Sequence, residues 1–420
     1  MRTVLKIFML HVLVFYSIFA QAQLTPQDAI TKIKRGINIG NSLDAYPTET
    51  SWGNPLIQKS YFDDYVAAGF TCIRIPVTWK DHISKTAPYT IDQTWLKRVD
   101  SVVTWGLSKG LYIILNIHHE VDLKATDTMT NLTAKAVVLE RYDSLWSQIA
   151  DHFKDKSDHL FFEMLNEPQK LTQKTVEAFN KRVLAIIRKT NPNRIVIFSG
   201  TDYTGADKLI VTNVPDVNDK YLMAYFHSYD PWTFAGEGKG TWGSSYDISN
   251  ASAMFTKVAQ WSNTHQIPVI LDEFGAVVSC NYNSRMYYYA TFVEQALNNN
   301  IAFCAWDDNG MFQTYKRNTK TWNDAKDVLI NTYKESPTKL KITATDTTVT
   351  LSWTNRTALN DSIYIDRKTN SSTFEPIAKI STTATQFIDS LVNENTTYYY
   401  RLRTNLLDSI DLYSYSVMIK

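Results

Sequence analysis

Leu111-Tyr112-Ile113-Ile114-Leu115-Asn116-Ile117-His118-His119 is the stretch from which the fold is read. An apolar run broken only by Asn116 ends abruptly in two histidines. Leu160-Phe161-Phe162-Glu163-Met164-Leu165 repeats the device and ends in Asn166-Glu167-Pro168. Short, near-continuous runs rich in Ile, Val and Phe are what strands buried on both faces look like. Working outward, further runs occur at 36–40, 70–75, 195–199, 222–227, 267–271 and 302–306. Amphipathic stretches separate them. Asp92 to Lys109 opens on a capping Asp and carries Trp95, Val99, Val102 and Trp105 at helical spacing; 134–154, 175–188, 252–264 and 285–298 behave alike. Eight strands alternating with helices over residues 23–335 predict an α/β fold, a (β/α)8 TIM barrel. A doubly wound sheet is the rival, but no Gly-x-Gly-x-x-Gly turn follows the first strand.

Composition narrows the possibilities. The chain has 420 residues, with 43 Lys+Arg against 42 Asp+Glu, a formal net charge of +1. That balance removes the usual reason to expect nucleic acid as a partner, which calls for a basic patch. Three cysteines, Cys72, Cys280 and Cys304, are too few for a disulfide scaffold and read as packing residues. Arg2 and Lys6, an apolar run from Ile7 to Phe19, and Ala20-Gln21-Ala22 have the form of a signal peptide over residues 1–22. The mature protein is therefore expected to be secreted, periplasmic or at the cell surface. No later stretch reaches the ~18 apolar residues of a membrane span. A monomer is expected.

After Ser336-Pro337 the texture changes. Leu340, Ile342, Val349, Leu351 and Trp353 alternate with Lys, Thr and Ser, and turn residues recur. Residues 336–420 are read as a small all-β immunoglobulin-like sandwich of about seven strands. Trp353, and Leu391, Tyr398, Tyr400 and Leu402 further on, resemble the core pattern of a fibronectin type III module. The resemblance implies a spacer or adhesive role without catalysis.

The chemistry is expected at the strand ends, because barrel active sites are built at the C-terminal ends of the strands. Arg74 ends the second run, His118 and His119 the third, Asn166 and Glu167 the fourth, His227 and Tyr229 the sixth, Glu273 the seventh and Trp306 the eighth. Two glutamates at one mouth are what glycoside hydrolysis requires, one as acid and one as nucleophile or base. Arg74 and Tyr229 are expected to keep Glu273 ionised, and Glu167 to stay protonated beside the other carboxylate. The histidines lack the spacing of a metal site such as His-Glu-x-x-His, so no metal and no cofactor are expected.

Asn166-Glu167-Pro168 followed by Glu273-Phe274-Gly275, with Arg74 in Arg-Ile-Pro, His118-His119, His227-Ser228-Tyr229 and Trp306, resembles glycoside hydrolase family 5 over residues 36–310. Residues 38–45 and 49–55 resemble its subfamily 4, mostly endo-β-1,4-glucanases, with xyloglucan and mixed-linkage glucan activity also common. The resemblance implies a retaining hydrolase acting on a β-linked polysaccharide, with Glu167 as acid/base and Glu273 as nucleophile. It further implies that Asn166 binds the sugar 2-hydroxyl, that His118 and His227 bind hydroxyls or orient the carboxylates, and that Tyr229 touches Glu273. Trp306 would be the stacking floor, and His119, Asn41 and Trp52 would serve more distant subsites. Asp272 stands where the family often has Gly, Asp307 and Asp308 add carboxylates near the last strand, and residues 311–321 depart from the usual loop. An endo-β-1,4-mannanase of the same fold and a catalytically silent glycan-binding protein are the alternatives.

Overall fold

The computed structural model describes residues 23–356, 362–370, 372–406 and 410–420; the signal-peptide reading of residues 1–22 lies outside them. Strands β1 (Arg35–Asn38), β2 (Cys72–Ile75), β3 (Tyr112–Asn116), β4 (Leu160–Glu163), β5 (Val196–Phe198), β6 (Leu222–Ser228), β7 (Val269–Phe274) and β8 (Ala302–Ala305) close in that order into a parallel barrel. Helices run between them, including Gln93–Leu107, Leu132–His152, Gln173–Arg188, Ser245–His265 and Tyr282–Asn298. The helix Gln93–Leu107 starts where sequence placed it, because Asp92 Oδ1 accepts from the amides of Thr94 and Trp95 and so satisfies two donors the first turn leaves free. Its Trp95, Val99 and Val102 face the sheet, while Trp105 stays half-buried beside Phe62.

Every barrel strand is buried along its length, yet its two faces do different work. Ile73, Ile75, Ile113, Leu115 and Phe162 point out into the layer shared with the helices. Cys72, Ile114, Phe161, Ile197, Met223, Tyr225 and Cys304 point inward, and the short helix Pro26–Lys32 seals the bottom with Ala29 and Ile30. This two-sided burial explains why the strands read as continuous apolar runs. Gly36 is required where β1 meets β8: a Cβ there would lie 2.3 Å from Cys304 Sγ.

β7 carries an irregularity that matters for the site. Its register against β6 passes from Phe226↔Leu271 to His227↔Glu273, one extra residue on β7. A bulge of this kind lets two successive side chains leave the alternating pattern. Leu271 and Phe274 face the helices, and Asp272 and Glu273 both turn to the polar interior.

A short hairpin of two-residue strands, β9 (Tyr315–Lys316) with β10 (Thr321–Trp322), follows the barrel. The C-terminal region is all β. β11 (Thr338–Ala344), β12 (Val349–Thr354) and β15 (Gln386–Asp389) form one sheet. β13 (Ile363–Thr369), β14 (Glu375–Ile380), β16 (Tyr398–Leu406), β17 (Ile410–Tyr413) and β18 (Val417–Ile419) form the other. Leu351, Trp353, Ile365, Tyr400 and Leu402 are buried in its core. This region lies against helix Tyr282–Asn298: Asn283 exchanges two hydrogen bonds with the backbone of Met418, and Tyr287 stacks on Tyr415 at 4.7 Å.

Candidate active site

The inward-facing residues one step above the apolar interior are polar. Asn38 on β1, Arg74 on β2, Asn116 on β3, Glu163 on β4 and Asp272 on β7 are all completely buried. Arg74 organises them. Its Nε and Nη2 form a bidentate pair with Glu163 at 2.6 and 2.7 Å; Nη1 donates to Glu273 Oε1 at 2.5 Å and to Asn38 Oδ1 at 3.0 Å; Nη2 also donates to Asn166 Oδ1 at 2.8 Å. All five guanidinium N–H donors are thereby used. A buried charge persists only when paired and hydrogen-bonded in this way. Glu163, Asn116 and Asn38 were not singled out from the sequence. Their signal was there, since a polar side chain inside a buried strand requires a partner.

The two glutamates sit above this layer. Glu167 follows β4 in a left-handed conformation, φ 42°, which is strained for a residue with a Cβ. Buried Tyr225 on β6 holds that backbone: its hydroxyl accepts from the Glu167 amide at 2.9 Å and donates to the Leu165 carbonyl at 2.8 Å. Tyr225 read only as part of an apolar strand. Glu273 receives Arg74 on one oxygen and the Tyr229 hydroxyl on the other, at 3.1 Å. His227 stands between the carboxyls, with Nδ1 3.0 Å from Glu167 Oε1 and 3.6 Å from Glu273 Oε2. Carboxylate oxygens of Glu167 and Glu273 lie within 4.8 Å of one another.

A cavity of 580 Å³ opens over these groups, lined by His118, His119, Glu167, His227, Tyr229, Glu273 and Trp306 among others. Arg74 and Asn166 act from beneath rather than as lining. The ring of Trp306 lies parallel to His118, 5° apart in plane and 5.9 Å between centroids. Gly40 makes room for it, because a Cβ there would meet the indole at 2.6 Å. Trp52, His119 and Tyr46 cluster edge to face beside this floor. Asn41 is bound up in the turn, its amide donating to Asp44 and its carbonyl accepting from Asn54. Beyond β6 the cavity is bordered by Tyr203 and Trp232, both about half exposed, which the sequence reading did not select. A larger groove of 1220 Å³ between helix Ser245–His265 and β11 contains none of these residues. The added carboxylates near the last strand are structural: Asp307 accepts from the amides of Asn309 and Tyr315, and Asp308 from those of Gly310 and Phe312.

Electrostatics correct one expectation. Burial opposes a charge on His227, but Glu273 and Asp272 outweigh it and push the imidazole up to about 10. His118 goes the other way, driven well below its ordinary value by burial and by His119. Asn116 Nδ2 faces His118 Nδ1 at 3.0 Å, which leaves Nε2 as the N–H of the neutral ring. Burial favours protonated Glu167, yet the hydrogen bond and charge of His227 hold it below the usual carboxylate range. Burial pushes Glu273 up, against His227 and Arg74 and aided by the Glu167 charge. Glu167 is thus held toward its ionised form, against the sequence expectation that it keeps a proton. The reason is a charged His227 beside Glu167, which strand-end positions alone do not reveal.

Among the described residues, two groups bring ligand-type atoms within 4.8 Å: Asp44 with His118 and His119, and Glu167 with His227 and Glu273. In both, protein donors already occupy the carboxylates, Asn41 and Ser42 amides on Asp44 and the set above on the glutamates. The donor chemistry fits internal charge pairing.

The cellulase model, glycosyl hydrolase family 5, matches residues 36–311. Endoglucanase H of Acetivibrio thermocellus is 39% identical over 306 residues, which covers 71% of this chain and 33% of that protein; the chain spans about a third of its length. Endoglucanase A of Ruminococcus albus is 32% identical over 333 residues, 71% of this chain and 90% of that protein. Among solved structures, a tri-modular family 5 subfamily 4 endo-β-1,4-glucanase from Bacillus licheniformis, complexed with cellotetraose, aligns with a TM-score of 0.79 at 27% identity, over 94% of this chain and 79% of the other. The match runs from β1 past β8 and takes in every strand end described above, so this chain belongs to the cellulase family, glycosyl hydrolase family 5.

Proposed function

We propose that this protein is an endo-β-1,4-glucanase that cleaves with retention of anomeric configuration. One observation carries the reading: Glu167 and Glu273 present carboxylate oxygens within 4.8 Å across the mouth of a barrel. Retaining glycosidases hold their carboxyls ~5–5.5 Å apart, whereas inverting ones need ~6.5–9.5 Å to seat a water. Glu273, oriented by Arg74 and Tyr229, attacks the anomeric carbon while Glu167 gives its proton to the leaving oxygen. A sugar over half-buried Glu167 removes its remaining solvent, and the nearby Glu273 anion adds to the upward push, so Glu167 takes up its proton on binding. Once Glu273 is esterified its charge is gone. Glu167, relieved of that anion and still beside the His227 charge, becomes the stronger acid and serves as base for the attacking water. Asn166, fixed by Arg74, is placed for the sugar 2-hydroxyl.

Aromatic faces on both sides of the carboxyls support endo action on a long chain: Trp52 and Tyr46 on one flank, Tyr203 and Trp232 on the other. The relatives' names point to β-glucan as the backbone. Residues 1–22 act as a secretion signal, and residues 336–420 are a fibronectin type III-like appendage to a catalytic unit over 23–335. Supporting the latter, the Tyr398 hydroxyl accepts from the Asn393 amide at 3.0 Å, the corner such sandwiches use. Among the described residues, no helix is long and apolar enough to cross a membrane.

Reducing-sugar release from carboxymethyl-cellulose, mixed-linkage glucan, xyloglucan and mannan tests the substrate; highest turnover on mannan, or binding without turnover, overturns it. Proton NMR of the earliest products should show the β-anomer first. Net inversion would refute the double-displacement assignment.

A further inference from the structure

Asp272 remains unexplained by the scheme above. It is completely buried inside the barrel, turned there by the bulge that also places Glu273. It lies 3.6 Å from Arg74 Nε, yet all five Arg74 donors are spent on Glu163, Glu273, Asn38 and Asn166. Its nearest cationic partner is His227, with Nε2 3.0 Å from Oδ1. Neither Asp272 oxygen nor His227 Nε2 has an aligned hydrogen-bond partner among the described residues, so the two meet as an ion pair. A carboxylate oxygen and a bare ring nitrogen this close would repel, so a proton belongs on Nε2. The opposite ring nitrogen points at the two glutamates.

We infer that Asp272 is a positioning residue for the reaction, holding His227 doubly protonated with Nδ1–H aimed between Glu167 and Glu273. The inference rests on the roles proposed for those two glutamates. Other charged and titratable groups face the pair from every side: Arg74 on β2, His118 after β3, Glu163 on β4, Glu167 after it, Tyr225 on β6, Glu273 on β7 and Cys304 on β8. Among them Glu163 is already neutralised bidentately by Arg74. Burial raises Asp272, while Glu273 and Asp272 raise His227 despite its burial. With Glu167 Oε1 3.0 Å from Nδ1 and Asp272 Oδ1 3.0 Å from Nε2, a carboxyl faces each ring nitrogen and the ring carries both protons. During the second half of the reaction this fixed cation keeps Glu167 ionised to receive the proton of water.

The full-length protein decides the matter in two ways. In wild type labelled with ¹⁵N-histidine, the His227 resonances, identified by their loss in His227→Gln, should report both ring nitrogens protonated at pH 7. A neutral ring at that pH overturns the inference, whatever the activity. In Asp272→Asn, the alkaline limb of the kcat/KM profile on a soluble β-glucan should move down by about one pH unit or more, the usual effect of removing an adjacent charge. A profile superimposable on wild type overturns it. If Asp272→Asn fails to fold, the wild-type NMR measurement stands alone as the test. An inactive wild type would instead defeat the glucanase reading and leave the NMR result to judge Asp272.

Discussion

Glu167 and Glu273 should fail differently when removed. Glu273→Ala deletes the attacking carboxylate, so turnover should nearly vanish, and azide should turn an activated glycoside into a product of inverted configuration. Glu167→Ala keeps the nucleophile. Its first step on a good leaving group should survive, deglycosylation should slow, and azide should rescue turnover with retained configuration. General acid–base help is worth ~10²–10⁴-fold, well above assay error. Identical azide products from both variants would show the roles misassigned. At this scale the sequence exposed the glutamates, because each ends an apolar strand. It did not expose Tyr225, whose hydroxyl pins the strained Glu167 backbone across 58 positions, nor the charge on His227. Those depend on distances that no local pattern encodes.

Among the elements, the helix Gln93–Leu107 offers the cleanest test of local coding. Asp92 is an exposed cap whose hydrogen bonds from Trp95 and Thr94 hold its carboxyl below the usual range. Asp92→Ala should cost about 1 kcal/mol in chemical denaturation at pH 7. A carboxyl with a depressed folded value stabilises above its unfolded value, near 4, and loses that contribution as pH falls through the folded one. The difference between wild type and Asp92→Ala should therefore shrink below pH 4. Asp92→Asn keeps an acceptor and should remove the pH dependence while retaining most of the cap. A pH-independent difference between wild type and the alanine variant would contradict this account. The strands were legible at the same level, since burial on both faces leaves continuous apolar runs. The β7 bulge was not, because Val-Ile-Leu-Asp-Glu-Phe at 269–274 fits a regular strand equally well.

For the whole molecule, the cleft and the C-terminal sheets should be separable. The cavity lining ends at Phe312, and Arg35 ties helix Ala325–Asn331 to the barrel through the carbonyls of Leu329 and Thr332. Truncation after residue 335 keeps that helix. Activity on soluble glucan should remain largely unchanged. Thermal stability should fall, because the cut bares Tyr287 and breaks the Asn283–Met418 and Arg356–Glu294 contacts. Each kcal/mol lost lowers Tm by about 2–4 °C in a domain of ~150–250 residues. A folded truncate without activity on soluble substrate would show that the sheets help shape the cleft.

Sequence by itself determined the alternation of buried strands and amphipathic helices, the change of texture after residue 336, and the polar or aromatic groups ending six of the strands. Burial and hydrogen bonding along the chain are local demands, and residue spacing records them. Tertiary structure alone decided which groups pair. Arg74 reaches Glu163 and Glu273, 89 and 199 positions away, and spends every donor doing so. Asp272 is thereby left to His227, and Glu167 falls under the imidazolium instead of keeping its proton. A pKa depends on the charges within a few ångströms and on the water excluded from them. Only closure of the barrel sets either.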